Sequence, residues 1–549
     1  LLCTSPIRRL VLSALAAAAA TSGIVVGCSG DDLAVSPSQS TPTAPSPSVT
    51  ETRTPLVESS AARARVDALV AAFPAALADA TSTIAFERDK HGRVHRRASR
   101  SAAKGRAHVE LPSSAHLPAR IVDEASGLGL SFTLEGARKV PPASARGLVL
   151  YPAAGPGDTD VIHHVHHAGT EDLIFADKRS QIQKLRYHIE LDVASALRLV
   201  ERTLEILDAH GVPRLRVAPP IVYDANGKRH DAAIDVEGCF VDRDPRAPWD
   251  RAVTAPGSKS CTVVVDFHDD SLRYPILVDP SWQSTAGSMI RPRHRASVVE
   301  IPQVSPPPPA PPKLGIVLVT GGKDDTGAAV ASAELYRPLD RIFAATGSMS
   351  NARAAHTSTV VSAADGPRVV VTGGASDPDV TNPANAGVLR STEVYNPVSG
   401  TFSLAPDMGF YRYEHTATAL SDGRVLVVGG YATASLGVTP QSSKKAELLT
   451  MDVATGQVSI APAPDMTIQR AAHAAVLLAS GDVLIAGGFS VAGFSQQKSE
   501  VYCDSATTHP CTATNTFVST IDLPGPGRSF HTATRLLDGK ILFAGGSSA

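Results

Sequence analysis

Apolar and polar positions along the chain fall into distinct regimes. From Leu10 to Val26 an uncharged, mostly apolar run follows Arg8-Arg9; it is short for a membrane span of ~20 residues and has the length of a secretory signal. Apolar periodicity then stops. From Ser29 to about Ser60 the chain is dominated by Ser, Thr and Pro, with Pro37, Pro42, Pro45, Pro47 and Pro55, a composition that cannot pack a core and reads as a tether. Fully extended at ~3.1 Å per residue, it would reach at most ~90 Å. Ala61 to Leu77 carries helical spacing (Val66, Leu69, Val70, Phe73), and beyond it short alternating runs bounded by Gly, Pro and Asp predict strands. Leu185 to Leu191, Leu204 to Leu207, Arg214 to Val217, Ala233 to Val236 and Thr262 to Phe267 are of this kind, with a turn at Asp224-Ala225-Asn226-Gly227.

From Gly287 onward the pattern repeats. Glycine pairs fall at Gly321-Gly322, Gly373-Gly374, Gly429-Gly430, Gly487-Gly488 and Gly545-Gly546, at intervals of 52, 56, 58 and 58. Upstream of each stands R-x-x-H: Arg291/His294, Arg353/His356, Arg412/His415, Arg470/His473 and Arg528/His531. Downstream of the first four comes Glu, then usually Tyr: Glu334/Tyr336, Glu393/Tyr395, Glu447 with Leu449, and Glu500/Tyr502. A later aromatic position holds Phe343, Phe402, Val458 and Phe517. The glycines are expected to end a strand in a turn that needs positive φ or leaves no room for a side chain. No helix pattern follows them, so they are not phosphate cradles.

This set closely resembles the kelch repeat, which implies an all-β fold: a kelch-type β-propeller of four-stranded blades over residues 287–549, preceded by a β-rich module at 61–286. Four and a half blades are visible, and Phe or Val stands where the repeat usually has Trp. On that resemblance the natural chain is expected to continue for roughly 60 to 150 residues past Ala549, at the observed period. Binding is expected in the unequal loops Lys323 to Ser332, Ala375 to Ser391 and Tyr431 to Lys445. The R-x-x-H histidines are expected to pack between blades, the alternative being a ring of axial ligands. Copper radical oxidases related to galactose oxidase share this fold but need a Cys–Tyr cross-link, so an enzyme, whether a sugar oxidase or a glycan hydrolase, is the lesser reading. The module's ending, Tyr274-Pro275-Ile276-Leu277-Val278-Asp279-Pro280-Ser281-Trp282, is similar to one found ahead of repeat domains in large secreted bacterial proteins.

Charge removes other classes. With 51 basic against 53 acidic residues the chain lacks a nucleic-acid-binding excess, and 43% hydrophobic with 19% charged residues describe a globular body rather than a polytopic membrane protein or a disordered chain. Val25-Val26-Gly27-Cys28 resembles the bacterial lipobox, which implies residues 1–27 as signal peptide, lipid on Cys28 and an envelope location, with Ser29 compatible with the outer membrane. The rest of a twin-arginine motif is missing. The remaining cysteines after Cys3 and Cys28 form two local pairs, Cys239 with Cys261 and Cys503 with Cys511, expected as disulfides in an oxidising compartment.

Other clusters have plainer readings. His163-His164-Val165-His166-His167 could place a metal pair on a strand, but a solvated loop is the expectation. Eight basic residues between Arg88 and Arg106 accompany only Asp89; a solvated loop is expected, with anionic polysaccharide or lipid as the alternative partners. The prolines from Pro306 to Pro312 read as a loop insertion. The chain is therefore expected to be an envelope-anchored scaffold binding protein or polysaccharide partners and the membrane through its lipid, with no nucleic acid, catalytic residue, cofactor or metal assigned.

Overall fold

The computed structural model describes residues 53–77, 84–97, 106–179, 182–192, 196–249, 251–302, 315–378, 387–433, 441–490, 494–504 and 511–548. The signal segment, Cys28, most of the tether and the proline run lie outside the described residues. Their regular structure is almost entirely antiparallel β, and none of their helices is long and apolar enough to cross a membrane.

The folded module begins earlier than residue 61. Thr54–Pro55 pairs with Glu87 and Arg88, and Ser59 caps the helix Ser60–Ala72 by accepting a bond from Ala62 N. That helix stops short of Leu77 because Pro74 follows its cap residue Phe73. Its buried stripe, Ala62, Val66 and Leu69, packs with Phe73 and Leu77 on Leu148, Leu150, Ile162 and Leu173. A nine-stranded and an eleven-stranded sheet share the main core. Trp282 from one sheet stacks on Phe132 from the other at 4.3 Å, with Tyr187 edge-on at 5.6 Å. The Tyr274-to-Trp282 ending thus supplies the module's central aromatic. Its two strands, Ile276–Asp279 and Ser281–Ser284, pair with opposite ends of the single strand Gly169–Ala176.

Burial explains two strand patterns in this module. Lys184–Leu191 alternates between buried and exposed positions because one face meets solvent. Ala196–Val200 and Thr203–Leu207 are buried throughout. Leu197, Leu199, Leu204 and Ile206 face the module core, whereas Arg198 and Glu205 face the repeat region.

After residue 287, beside a small three-stranded sheet of Tyr411–Tyr413, Tyr431–Thr433 and Gln441–Ser442, come four successive four-stranded sheets and one two-stranded sheet. They begin with Ser297–Ile301, Thr357–Ala363, Thr416–Ala419, Ala474–Leu477 and Thr532–Arg535, and these first strands lie side by side in chain order. The second strand of each ends directly at its glycine pair. Module and repeats are joined by buried polar groups. Arg198 and Glu205 form a fully buried ion pair; Arg198 Nη2 donates to Ala345 O at 2.8 Å while Glu205 Oε1 accepts from Ala345 N at 2.7 Å. Arg216 Nη2 donates to the carbonyls of Ser288 and Met289. Trp249, from the segment closed by the Cys239–Cys261 disulfide, enters the first repeat's core beside Leu318 and Leu335.

Candidate functional site

Each of the first four repeats builds the same polar knot. Arg353 Nη1 donates to Gly373 O at 2.7 Å and Nη2 to Glu393 at 2.7 Å, while Glu393 also accepts from Ser350 N and Asn351 N. Arg412 with Glu447 and Arg470 with Glu500 repeat this arrangement, all nearly solvent-free. In the first repeat the arginine is Arg293, bonded to Gly321 O and Glu334, so the expected Arg291/His294 frame is two residues early. Ala296 takes the histidine's place: a methyl at Gly322 would meet Ala296, as one at Gly374 would meet His356. Strand register corrects a second assignment. Tyr336, Tyr395 and Tyr502 stand opposite Phe343, Phe402 and Phe517, and Leu449 stands opposite Ile460, not Val458.

The histidines join neighbouring sheets. His356 Nε2 lies 2.8 Å from Thr320 Oγ1 of the preceding sheet, His415 reaches Thr372 and His473 reaches Thr416. Burial, with the nearby Arg353 and Arg293 charges, pushes His356 down to about 3, so it is neutral at physiological pH. The residue before each histidine, Ala355, Glu414, Ala472 and Phe530, and its counterpart Arg295, has φ between 51° and 56°. Their backbones form a relay in which Ala355 N donates to Arg295 O, Glu414 N to Ala355 O, Ala472 N to Glu414 O and Phe530 N to Ala472 O. Arg295 also pairs with Glu414 and lies over the Phe530 ring, so the first, third and fifth repeats meet there.

A cleft of about 530 Å³ opens where the module meets the first repeat. Arg202, Arg229 and Asp231 reach it from the module; Arg291, Asp324 and Thr326 reach it from the repeat, the last two on the expected loop Lys323 to Ser332. Arg202 pairs with Asp231 at 2.7 Å and Arg229 with Asp325 at 3.1 Å, but Arg291 stands 3.7 Å from Asp231 and 4.0 Å from Asp324. Burial and the neighbouring Arg202 and Arg229 charges hold the Arg291 guanidinium below its ordinary value, against the pull of Asp231 and Asp324. Around the cleft four arginines, Arg202, Arg229, Arg291 and Arg293, face four carboxylates, Glu201, Asp231, Asp324 and Glu334, with Arg291 at the longer ion-pair distances. Of the other expected loops, 379–386 and 434–440 lie outside the described residues.

The histidine cluster is not a solvated loop. Asp160–His166 is a strand paired along Gly169–Ala176, which buries His163 opposite Asp172 and sets His164 Nδ1 2.8 Å from Glu171. The basic run is likewise structured up to Arg97. Phe86–Arg88 and Val94–Arg96 form a hairpin, Arg93 binds Asp89 and Glu110, and residues 98–105 lie outside the described residues. Cys239 is bonded to Cys261 and Cys503 to Cys511, with Cα separations of 5.6 and 5.5 Å. Neither cysteine of the repeat region is available for a Cys–Tyr cross-link.

No protein-family model and no curated protein matches the chain. Among solved structures it is similar to that of YjhT, with a TM-score of 0.36 and 14% identity, covering 49% of this chain and 82% of that one.

Sequence reasoning named the loop that forms one wall of the cleft but missed the opposite wall. Arg202 and Arg229 sit in separate turns and edge strands, 27 residues apart in sequence, and nothing in their spacing marks them as partners.

Proposed function

We propose that the chain is an exported, envelope-anchored binding protein in which residues 287–549 form a kelch-type propeller and the junction cleft receives a short segment of acidic polysaccharide. The observation that carries this reading is the convergence of Arg202, Arg229 and Arg291 in an open cleft of about 530 Å³, within the size range of small-ligand sites. Carboxylate or sulfate groups on a glycan match guanidinium geometry, and the aspartates would order sugar hydroxyls. The two disulfides are compatible with export, and the repeated glycine pairs, Arg–Glu knots and sheet order support the propeller reading.

Calorimetric titration of the full chain with acidic and neutral oligosaccharides tests it. An acidic oligosaccharide should bind, more weakly as salt rises, and Arg291→Met should weaken binding by ~10- to 100-fold, the loss expected for one charged hydrogen-bond donor. Equal affinity of wild type and variant would remove the cleft from the account.

A further inference from the structure

On the outer face of the nine-stranded sheet, His95 stands directly opposite Glu110 in the pairing of Val94–Arg96 with Ala107–Leu111. His108 precedes Glu110 by two residues and therefore shares its face. One ligand atom from each of His95, His108 and Glu110 lies within 4.8 Å of the others. In a tetrahedral zinc site with bonds of ~2.0–2.2 Å, donor atoms sit roughly 3.4 Å apart. The ligands thus need to close by at most ~1.4 Å to reach zinc geometry, and the half-exposed His108 side chain has room to supply that movement.

The surroundings are arranged as a metal's outer shell. His95 is buried, and its Nε2 lies 3.1 Å from Asp89 Oδ2, so that nitrogen carries the proton. Its Nδ1 is buried and has no hydrogen-bond partner. A carboxylate holding one nitrogen while the other faces a ligand position is how metal-binding histidines are oriented. Arg93 fixes both acids, donating from Nε to Asp89 and from Nη1 to Glu110 Oε2 at 2.7 Å. Glu110 Oε1, 3.4 Å from His108 Nε2, is thereby turned toward that histidine.

We propose that His95, His108 and Glu110 bind one zinc ion, with Asp89 and Arg93 orienting the ligands and a fourth coordination position open to solvent. Two imidazoles and a carboxylate form a donor set suited to zinc and leave that position free. The site is independent of the junction cleft.

The test is zinc titration of the full chain, purified without a histidine tag, alongside His108→Ala and His164→Ala. His108 is exposed, so its removal should leave the thermal melt unchanged and report on binding alone. Wild type and His164→Ala should bind one zinc per chain, with the visible bands of a tetrahedral site when cobalt replaces zinc. His108→Ala should bind at least tenfold more weakly, and Asp89→Asn ~10- to 100-fold more weakly. Absence of stoichiometric zinc in wild type, or undiminished binding by His108→Ala, would overturn the proposal.

Discussion

At the residue scale, glycine and alanine occupy similar left-handed backbone positions in this chain with opposite consequences. Gly429 has φ of 64°, and a methyl there would meet Arg470 O at 2.6 Å and His473 Cε1 at 2.8 Å. Ala472 also has positive φ but already carries its methyl, at a cost of about 1 kcal/mol. Gly429→Ala should destabilise by about 2 kcal/mol or more, whereas Ala472→Gly should leave stability unchanged or slightly raised, as read from urea midpoints. The glycine was visible in the sequence because only glycine fits; the strained alanine was not, because alanine advertises nothing. The histidines add a pH dependence. His356 titrates near 6.5 when unfolded and is pushed down to about 3 by burial and then by Arg353 and Arg293, so the unfolded chain binds the extra proton between those values. Its contribution is present above pH 6.5 and is lost as pH falls toward 3. Between pH 6.5 and 4, stability should fall less steeply in His356→Asn than in wild type, by about 1.4 kcal/mol per pH unit for one proton. Parallel slopes would show that His356 is not held neutral.

At the element scale, the repeated Arg–Glu pair ties the start of each four-stranded sheet to its third strand. Arg353 and Glu393 are both fully buried, so removing one charge strands the other. Glu393→Gln should cost about 3 kcal/mol or more, and replacing both residues, as Arg353→Met with Glu393→Leu, should recover much of that loss. A cost below about 1 kcal/mol for Glu393→Gln would mean the pair is solvated. This element was readable from sequence, since Arg, Gly-Gly and Glu recur in order, but the first repeat was misread by two residues. Arg291, Arg293 and Arg295 all stand in one short stretch, and only the bond to Glu334 tells them apart. The hairpin under the basic run and the strand of histidines were hidden for a related reason. Their alternation is carried by charged and imidazole side chains whose burial depends on Asp89, Glu171 and Asp172.

At the scale of the whole molecule, the module and the repeats are not beads on a string. Arg198, Glu205 and Arg216 reach across to backbone groups of the repeat region, and the disulfide-closed segment delivers Trp249 into its core. The sequence marked the change of pattern near Gly287 but not this interface, because a buried arginine on a strand looks like a solvent-facing one until its partner is known. The cleft exists only through this joining, since each wall comes from a different side of residue 287. Hydrogen exchange of the full chain, with and without a saturating acidic oligosaccharide, tests that claim most directly. Protection should appear together in residues 201–203, 229–231 and 324–332. Protection confined to the loops at 375–391 or 431–445, or none in the presence of demonstrated binding, would contradict the junction as the binding site.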